Sequence, residues 1–95
     1  MLILTRRKGE RVIVGDVTFE IVSFSAKVVR VNTITNDVGV VDMVPVGTQL
    51  SIGKMASVVP LEVRGNQVKL GFDAPRNVEI LREELTRVGE VVVCA

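Results

Sequence analysis

Ser57-Val-Val-Pro-Leu-Glu-Val-Arg-Gly-Asn-Gln-Val-Lys-Leu-Gly-Phe72 is the stretch whose reading decides the fold class. Two runs dominated by strand-forming residues flank Arg64-Gly65-Asn66. Gly and Asn tolerate the left-handed backbone that joins antiparallel strands, so the stretch predicts a β-hairpin. The same pattern extends outward in both directions. Short runs rich in Val and Ile, closed by Gly, Asn, Asp or Pro, predict strands at about 2–7, 11–14, 17–24, 27–33, 38–44, 49–52, 56–63, 67–72 and 78–82, with turns at Lys8-Gly9 and Gly15-Asp16. One segment departs from it. Arg82-Glu-Glu-Leu-Thr-Arg-Val88 has acids in a first helical turn, Glu83 and Arg87 spaced i,i+4, an apolar stripe of Leu81, Leu85 and Val88, and Gly89 placed to end it. After Gly89, Glu90-Val-Val-Val-Cys-Ala95 returns to strand composition, and such a valine-rich strand is expected to be paired. The expected class is all-β with one short helix in the C-terminal region.

Ninety-five residues suit one domain with a single modest core, and 47% hydrophobic with 24% charged residues is a globular composition. Twelve Lys/Arg against eleven Asp/Glu leave a net charge of +1, so any nucleic-acid binding must come from a local basic patch. No histidine, a single cysteine and no glycine-rich phosphate loop leave metal, triad and nucleotide-binding signatures without their residues. The expectation is a binding protein rather than an enzyme, without a cofactor. Cys94 cannot form a disulfide within the chain and reads as a small buried hydrophobe. No apolar run approaches the ~18 residues of a membrane span. Nothing resembles a secretory leader, so a soluble, cytoplasmic protein is expected.

Met1-Leu-Ile-Leu-Thr-Arg-Arg7 with Gly9, Arg64-Gly-Asn-Gln-Val-Lys-Leu-Gly71, Ala74-Pro75 and Val78-Glu-Ile-Leu-Arg-Glu-Glu84 resemble, in order and character, the carbon storage regulator (CsrA/RsmA) family of RNA-binding translational regulators. The resemblance covers about the first 16 residues and about 46–88, but family chains are shorter and lack the middle. Two alignments of that middle compete. Val12-Ile-Val-Gly-Asp16 fits the family's second strand, and so does Val46-Gly-Thr-Gln-Leu-Ser-Ile-Gly53, which repeats the Gly-x5-Gly spacing of Gly9 and Gly15. Residues 17–41 track 56–80, with Val28-Val-Arg-Val31 on Gln67-Val-Lys-Leu70 and Val38-Gly-Val-Val41 near Val78-Glu-Ile-Leu81. The chain is therefore either a diverged tandem repeat, with units at about 1–44 and 45–88 and an extra strand at about 90–95, or one unit with a middle insertion that would make a conventional homodimer.

The family resemblance implies an intertwined β-sheet dimer in which the first strand of one protomer lies beside the last strand of the other. Two fused repeats would build this CsrA-like barrel within one chain, a monomer acting as a pseudo-dimer. Met1–Arg7 would then lie beside 78–82. Val38–Pro45, read as the first unit's last strand, carries no arginines, and 90–95 is expected where a second unit's first strand is missing. One RNA site per chain follows. The resemblance implies that Leu4, Thr5, Arg6, Arg7, Ala74, Pro75, Arg76, Ile80 and Arg82 form it, reading GGA displayed in hairpin loops of mRNA leaders or small regulatory RNAs. Control of translation initiation or mRNA stability is the implied activity, and a protein antagonist a possible partner.

Each signal also has a plainer reading. Arg6-Arg7-Lys8 alone suits a solvated turn, Arg82 alone an ion pair with Glu83 or Glu84, and Leu4, Ile80 and Leu81 simple core. Leu81 stands where the family commonly has a polar residue or histidine. Three Phe without Trp or Tyr argue against aromatic stacking platforms. A protein-interaction or decoy form with weak or no RNA binding is the alternative from another class.

Overall fold

A computed structural model describes residues 1–53 and 55–82. Nine strands occupy this region: β1 (Leu2–Arg7), β2 (Arg11–Val14), β3 (Val17–Phe24), β4 (Val28–Thr35), β5 (Val38–Pro45), β6 (Leu50–Ile52), β7 (Ala56–Arg64), β8 (Gln67–Asp73) and β9 (Ile80–Arg82). The hairpin read from 57–72 is β7–β8, turning through Gly65 at φ 61°. The described region is all-β. The helix expected at 82–88 and the strand expected at 90–95 fall almost wholly outside it, Arg82 ending β9. No helix among the described residues is long and apolar enough to cross a membrane.

The strands form two antiparallel sheets, one ordered β1-β8-β7-β6 and the other β5-β4-β3-β2-β9. Alternation along each strand sends one set of side chains inward. Val12, Val14, Val17, Phe19, Ile21, Val29, Val31 and Ile80 from one sheet meet Leu4, Ile52, Val58, Val68, Leu70 and Phe72 from the other in a single core. Phe19 and Phe72 sit at its centre, one from each sheet, edge to face with ring centroids 5.8 Å apart.

The two sheets share a set of local details. Gly9 N donates to Ile21 O at 2.7 Å, and Gly47 N donates to Pro60 O at 2.7 Å. Glu10 N donates to Arg7 O at 3.0 Å, and Thr48 N to Pro45 O at 3.0 Å. β3 shifts register between Ile21 and Ser23, and β7 between Pro60 and Glu62. The order β1-β8-β7-β6 thus matches β5-β4-β3-β2, and β9 extends only the second sheet.

This topology corrects one sequence expectation. Val38–Pro45 was aligned with the last strand near 78–81, but β5 pairs with β4 along its whole length, as β1 pairs with β8. It holds a first-strand position. The two-residue turn Asn36-Asp37, with φ of 51° and 64°, explains why: it folds the chain straight back on β4 and leaves no loop for crossing to the other sheet. The edge beside β4, assigned from sequence to 90–95, is therefore already occupied by β5.

Phe72→Ala should cost about 3–5 kcal/mol, because it removes a fully buried ring and its edge-to-face contact with Phe19 across the sheets. Urea unfolding followed by circular dichroism checks this, with a lower midpoint at unchanged slope as the expected outcome.

Candidate nucleic-acid interface

The sequence-predicted site residues fall on β1, the loop 74–79 and β9. Along β1, Leu4 and Arg6 point inward and are buried, whereas Ile3, Thr5 and Arg7 point outward and are exposed. Arg6 and Arg7 therefore differ in role, as adjacent strand residues must. Arg6 is only 5% exposed, an unusual place for a guanidinium, which needs partners when it leaves water. Its Nε donates to Thr5 O at 2.8 Å and lies 3.9 Å from Glu10 Oε1. That same carboxylate oxygen accepts the Arg7 backbone N–H at 2.7 Å. Glu10 thus holds the β1–β2 turn closed around Arg6 and leaves the Arg7 side chain projecting into solvent.

The loop is set by two backbone hydrogen bonds. Val78 N donates to Pro75 O at 3.0 Å, and Gly15 N donates to Glu79 O at 2.9 Å, seating the start of β9 against the β2–β3 turn. Ala74 and Pro75 are half-buried, Arg76 is exposed, and Ile80 is fully buried in the core. Arg82 ends β9 opposite Val12.

The expectation that β1 lies beside 78–82 takes a specific form. β1 is the outer strand of one sheet and β9 the outer strand of the other, and among the described residues no ladder joins them. They share an origin and a direction. Leu2 pairs with Phe72 at the end of β8 from which the loop departs, so β1 runs away from that loop; β9 leaves the same loop antiparallel to β2. The Met1 ammonium lies 3.6 Å from Asp73 Oδ1, which places the start of β1 beside the loop. Leu4 and Ile80 belong to the same buried cluster.

The sequence reading missed the outward face beside β1. Thr5 pairs with Lys69 and Arg7 with Gln67, so these side chains stand next to one another on the solvent face. Lys69 Nζ is 3.6 Å from the Glu62 carboxylate and Arg64 Nη2 donates to it at 3.1 Å, exposed ion pairs of small energetic weight. The signal that would have found them is the antiparallel register of β1 on β8.

On the opposite side, the positions matching Arg6 and Arg7 are Val44, buried, and Pro45, exposed. β6 there has no neighbour beyond β7 among the described residues, whereas the matching β2 has β9.

Comparison with known proteins bears on the second half of the chain. A model of the CsrA family, described as a global regulator protein family, matches residues 46–89. "Translational regulator CsrA" of Thermotoga petrophila is 50% identical over 40 residues, which cover 42% of this chain and 48% of that protein. The protein of the same name from Thermotoga maritima is 48% identical over 40 residues, with the same coverage of 42% and 48%. The chain spans about half the length of the curated relatives it matches. No solved structure is significantly similar to it.

Arg6→Ala should lower stability by about 1–3 kcal/mol, since it strips a buried stem from the core edge and leaves Glu10 without its guanidinium partner. Arg7→Ala, altering an exposed side chain, should stay within about 0.5 kcal/mol. Parallel urea titrations of the two variants check the contrast.

Proposed function

We propose that this chain, whose residues 46–89 match the model of the CsrA global regulator family, is a post-transcriptional regulator of that kind that binds single-stranded GGA presented in RNA hairpin loops. The observation that carries this reading is the pair of outer strands, β1 and β9, leaving one loop in the same direction. An outer strand presents a row of backbone N–H and C=O groups without strand partners. Splayed loop bases offer donors and acceptors on their Watson–Crick edges, so they can pair with such a row much as another strand would.

The residues then divide by task. Main-chain groups around Leu4 and Thr5, of the loop at Ala74 and Pro75, and of β9 at Ile80 read bases. Arg7, Arg76 and Arg82 supply guanidinium groups to phosphates or base planes, for which their forked donors and flat faces are suited. Arg6 acts through Glu10 by fixing the turn from which Arg7 projects. Lys69 and Arg64 continue the basic surface across the outward face of the sheet. No catalysis is required: a protein seated on a ribosome-binding site blocks initiation sterically.

The reading extends to architecture. The two sheets arise from two related units, β1–β4 and β5–β8, with the boundary at the Asn36-Asp37 turn and not near 44 as read from sequence, fused into a single-chain pseudo-dimer. Support comes from the paired hydrogen bonds at Gly9 and Gly47 and the paired register shifts in β3 and β7. One RNA per chain follows, because Val44 and Pro45 stand at the positions that match Arg6 and Arg7. The cytoplasm, where mRNA leaders are found, is the proposed compartment.

Titration of a GGA-loop hairpin against its CCA variant, with the mass of the complex measured on the same sample, tests both parts. The expected outcome is sequence-dependent binding of one RNA to one chain. Arg7→Ala and Arg82→Ala should each weaken binding by about 1–3 kcal/mol, and Pro45→Ala should leave it unchanged. Equal affinity for the two hairpins overturns the RNA reading, and two RNAs per chain overturns the single site.

A further inference from the structure

The two outer strands that match each other, β1 and β5, are defended to different degrees. β1 ends in the exposed Arg7, a charge that discourages pairing with another protein strand. At the matching places β5 carries Val41, Met43 and Pro45, and along its length Val38, Val40, Val41 and Met43 are all more than half exposed. Its one charged residue, Asp42, points inward and is half-buried. Which way the backbone points follows from the hairpin. Residues that flank a two-residue turn exchange both of their hydrogen bonds, so Thr35 and Val38 face each other, and Val40, Asp42 and Val44 face β4 in turn. The N–H and C=O groups of Gly39, Val41 and Met43 therefore point away from β4, along an edge that no strand pairs with among the described residues. Pro45 closes this row at one end, having no N–H to give, and the Asn36-Asp37 turn closes it at the other. An apolar edge of this length without cations is a template for another strand.

We propose that β5 pairs with β5 of a second copy of this chain, antiparallel about a two-fold axis at Val41, joining the two five-stranded sheets into one. The edge is self-complementary in one register. With Val41 opposite Val41 of the second copy, Gly39 meets Met43 and Met43 meets Gly39, so every outward-directed group of the three residues finds a partner. Moving the axis to Asp42 would set two carboxylates directly opposite each other and bring Pro45, which lacks a donor, against Gly39. Moving it to Val40 would bring the left-handed turn residue Asp37 against Met43. Charge favours the same register. Asp37 comes opposite Pro45 of the second copy, beside which lies Lys27, the residue whose carbonyl accepts Val46 N at 2.8 Å. The exposed Asp37 and Lys27 are then two strand spacings apart, about 10 Å, at both ends of the contact, a separation that a lysine stem can largely span. Val38 and Val40, left in water beside the cleft between the sheets, gain apolar neighbours: Val38 comes opposite Val44 of the second copy, and the two Val40 side chains lie diagonal to each other. A two-fold contact uses the same edge on both copies, so it closes at two chains and does not grow into a fibre. The RNA reading stands apart from it. β9 is at the other edge of the same sheet and β1 is in the other sheet, so the pair keeps one RNA site per chain.

Sedimentation equilibrium of the full chain under reducing conditions, which keep Cys94 from linking copies, should show a mass that rises with concentration from one chain toward two. A one-chain mass throughout a micromolar-to-millimolar series overturns the proposal. Val41→Lys sets like charges opposite each other at the axis, and Val41→Pro removes an edge donor that pairing with β4 does not use. Each should weaken association about tenfold or more while the circular dichroism stays that of the parent. Association that survives both substitutions belongs to another surface and overturns the pairing. Lys27→Glu should weaken association about threefold or more at low salt and less at high salt, and an unchanged affinity overturns the register centred on Val41. Amide exchange separates a second copy from a segment of the same chain. Protection of the Gly39, Val41 and Met43 amides should grow with protein concentration, and protection that is absent, or the same at every dilution, overturns the proposal.

Discussion

The ladder between β1 and β8 joins the first strand of the chain to one from its second half, and the ladder between β2 and β9 makes the converse connection. Neither sheet can be completed from one half of the sequence. β1 therefore has no place to go until the β7–β8 hairpin exists, and β9 has none until the β2–β3 hairpin exists. Contacts so distant in sequence are slow to form, because loop closure precedes their gain. They also make the two halves stand or fall together, since Phe19 and Phe72 reach the same buried contact from opposite sheets.

That exchange accounts for where a binding surface can arise. Outer strands normally have to be protected from pairing with other chains, by charge, shortness or cover. β1 has the charge, with the exposed Arg7 at its end and the Met1 ammonium at its start. An edge defended by cations is hostile to a second protein strand and hospitable to a polyanion with exposed bases. The two sides differ along this line. Where one has Leu4 and Phe72 facing the core, the matching positions of the other hold Asp42 and Thr33, and the close packing of the first becomes a cleft in the second.

Much of this was legible from sequence because the decisive signals were local. Valine-rich runs cut by glycine located all nine strands to within a few residues, and Arg64-Gly65-Asn66 placed the hairpin where it lies. The spacing of Gly9 and Gly15 against Gly47 and Gly53 pointed to repeated turns, which the structure shows with matching hydrogen bonds. The partner of β5 was not legible. Val38-Gly-Val-Val41 has the composition of either a first or a last strand, and its side is chosen by the Asn36-Asp37 turn, whose left-handed backbone sends the chain straight back. Nor was the burial of Arg6 foreseeable, because it depends on a carboxylate that reaches back across a turn.

The buried arginine bears on how such a site can stay ordered without a bound ligand. A long cationic side chain on a sheet edge samples many rotamers in water, and fixing it on binding costs affinity. Here Glu10 takes up the Arg7 backbone N–H and lies close to the Arg6 guanidinium, so the direction in which Arg7 leaves the strand is set before any ligand arrives. Only the tip of Arg7 remains to be ordered, and the backbone groups beside it are already rigid because β8 holds their strand. The acidic residues of this surface thus preorganise a basic one. A nearly neutral chain can on these terms carry a local site for a polyanion, since what matters is where the cations are held and not how many there are.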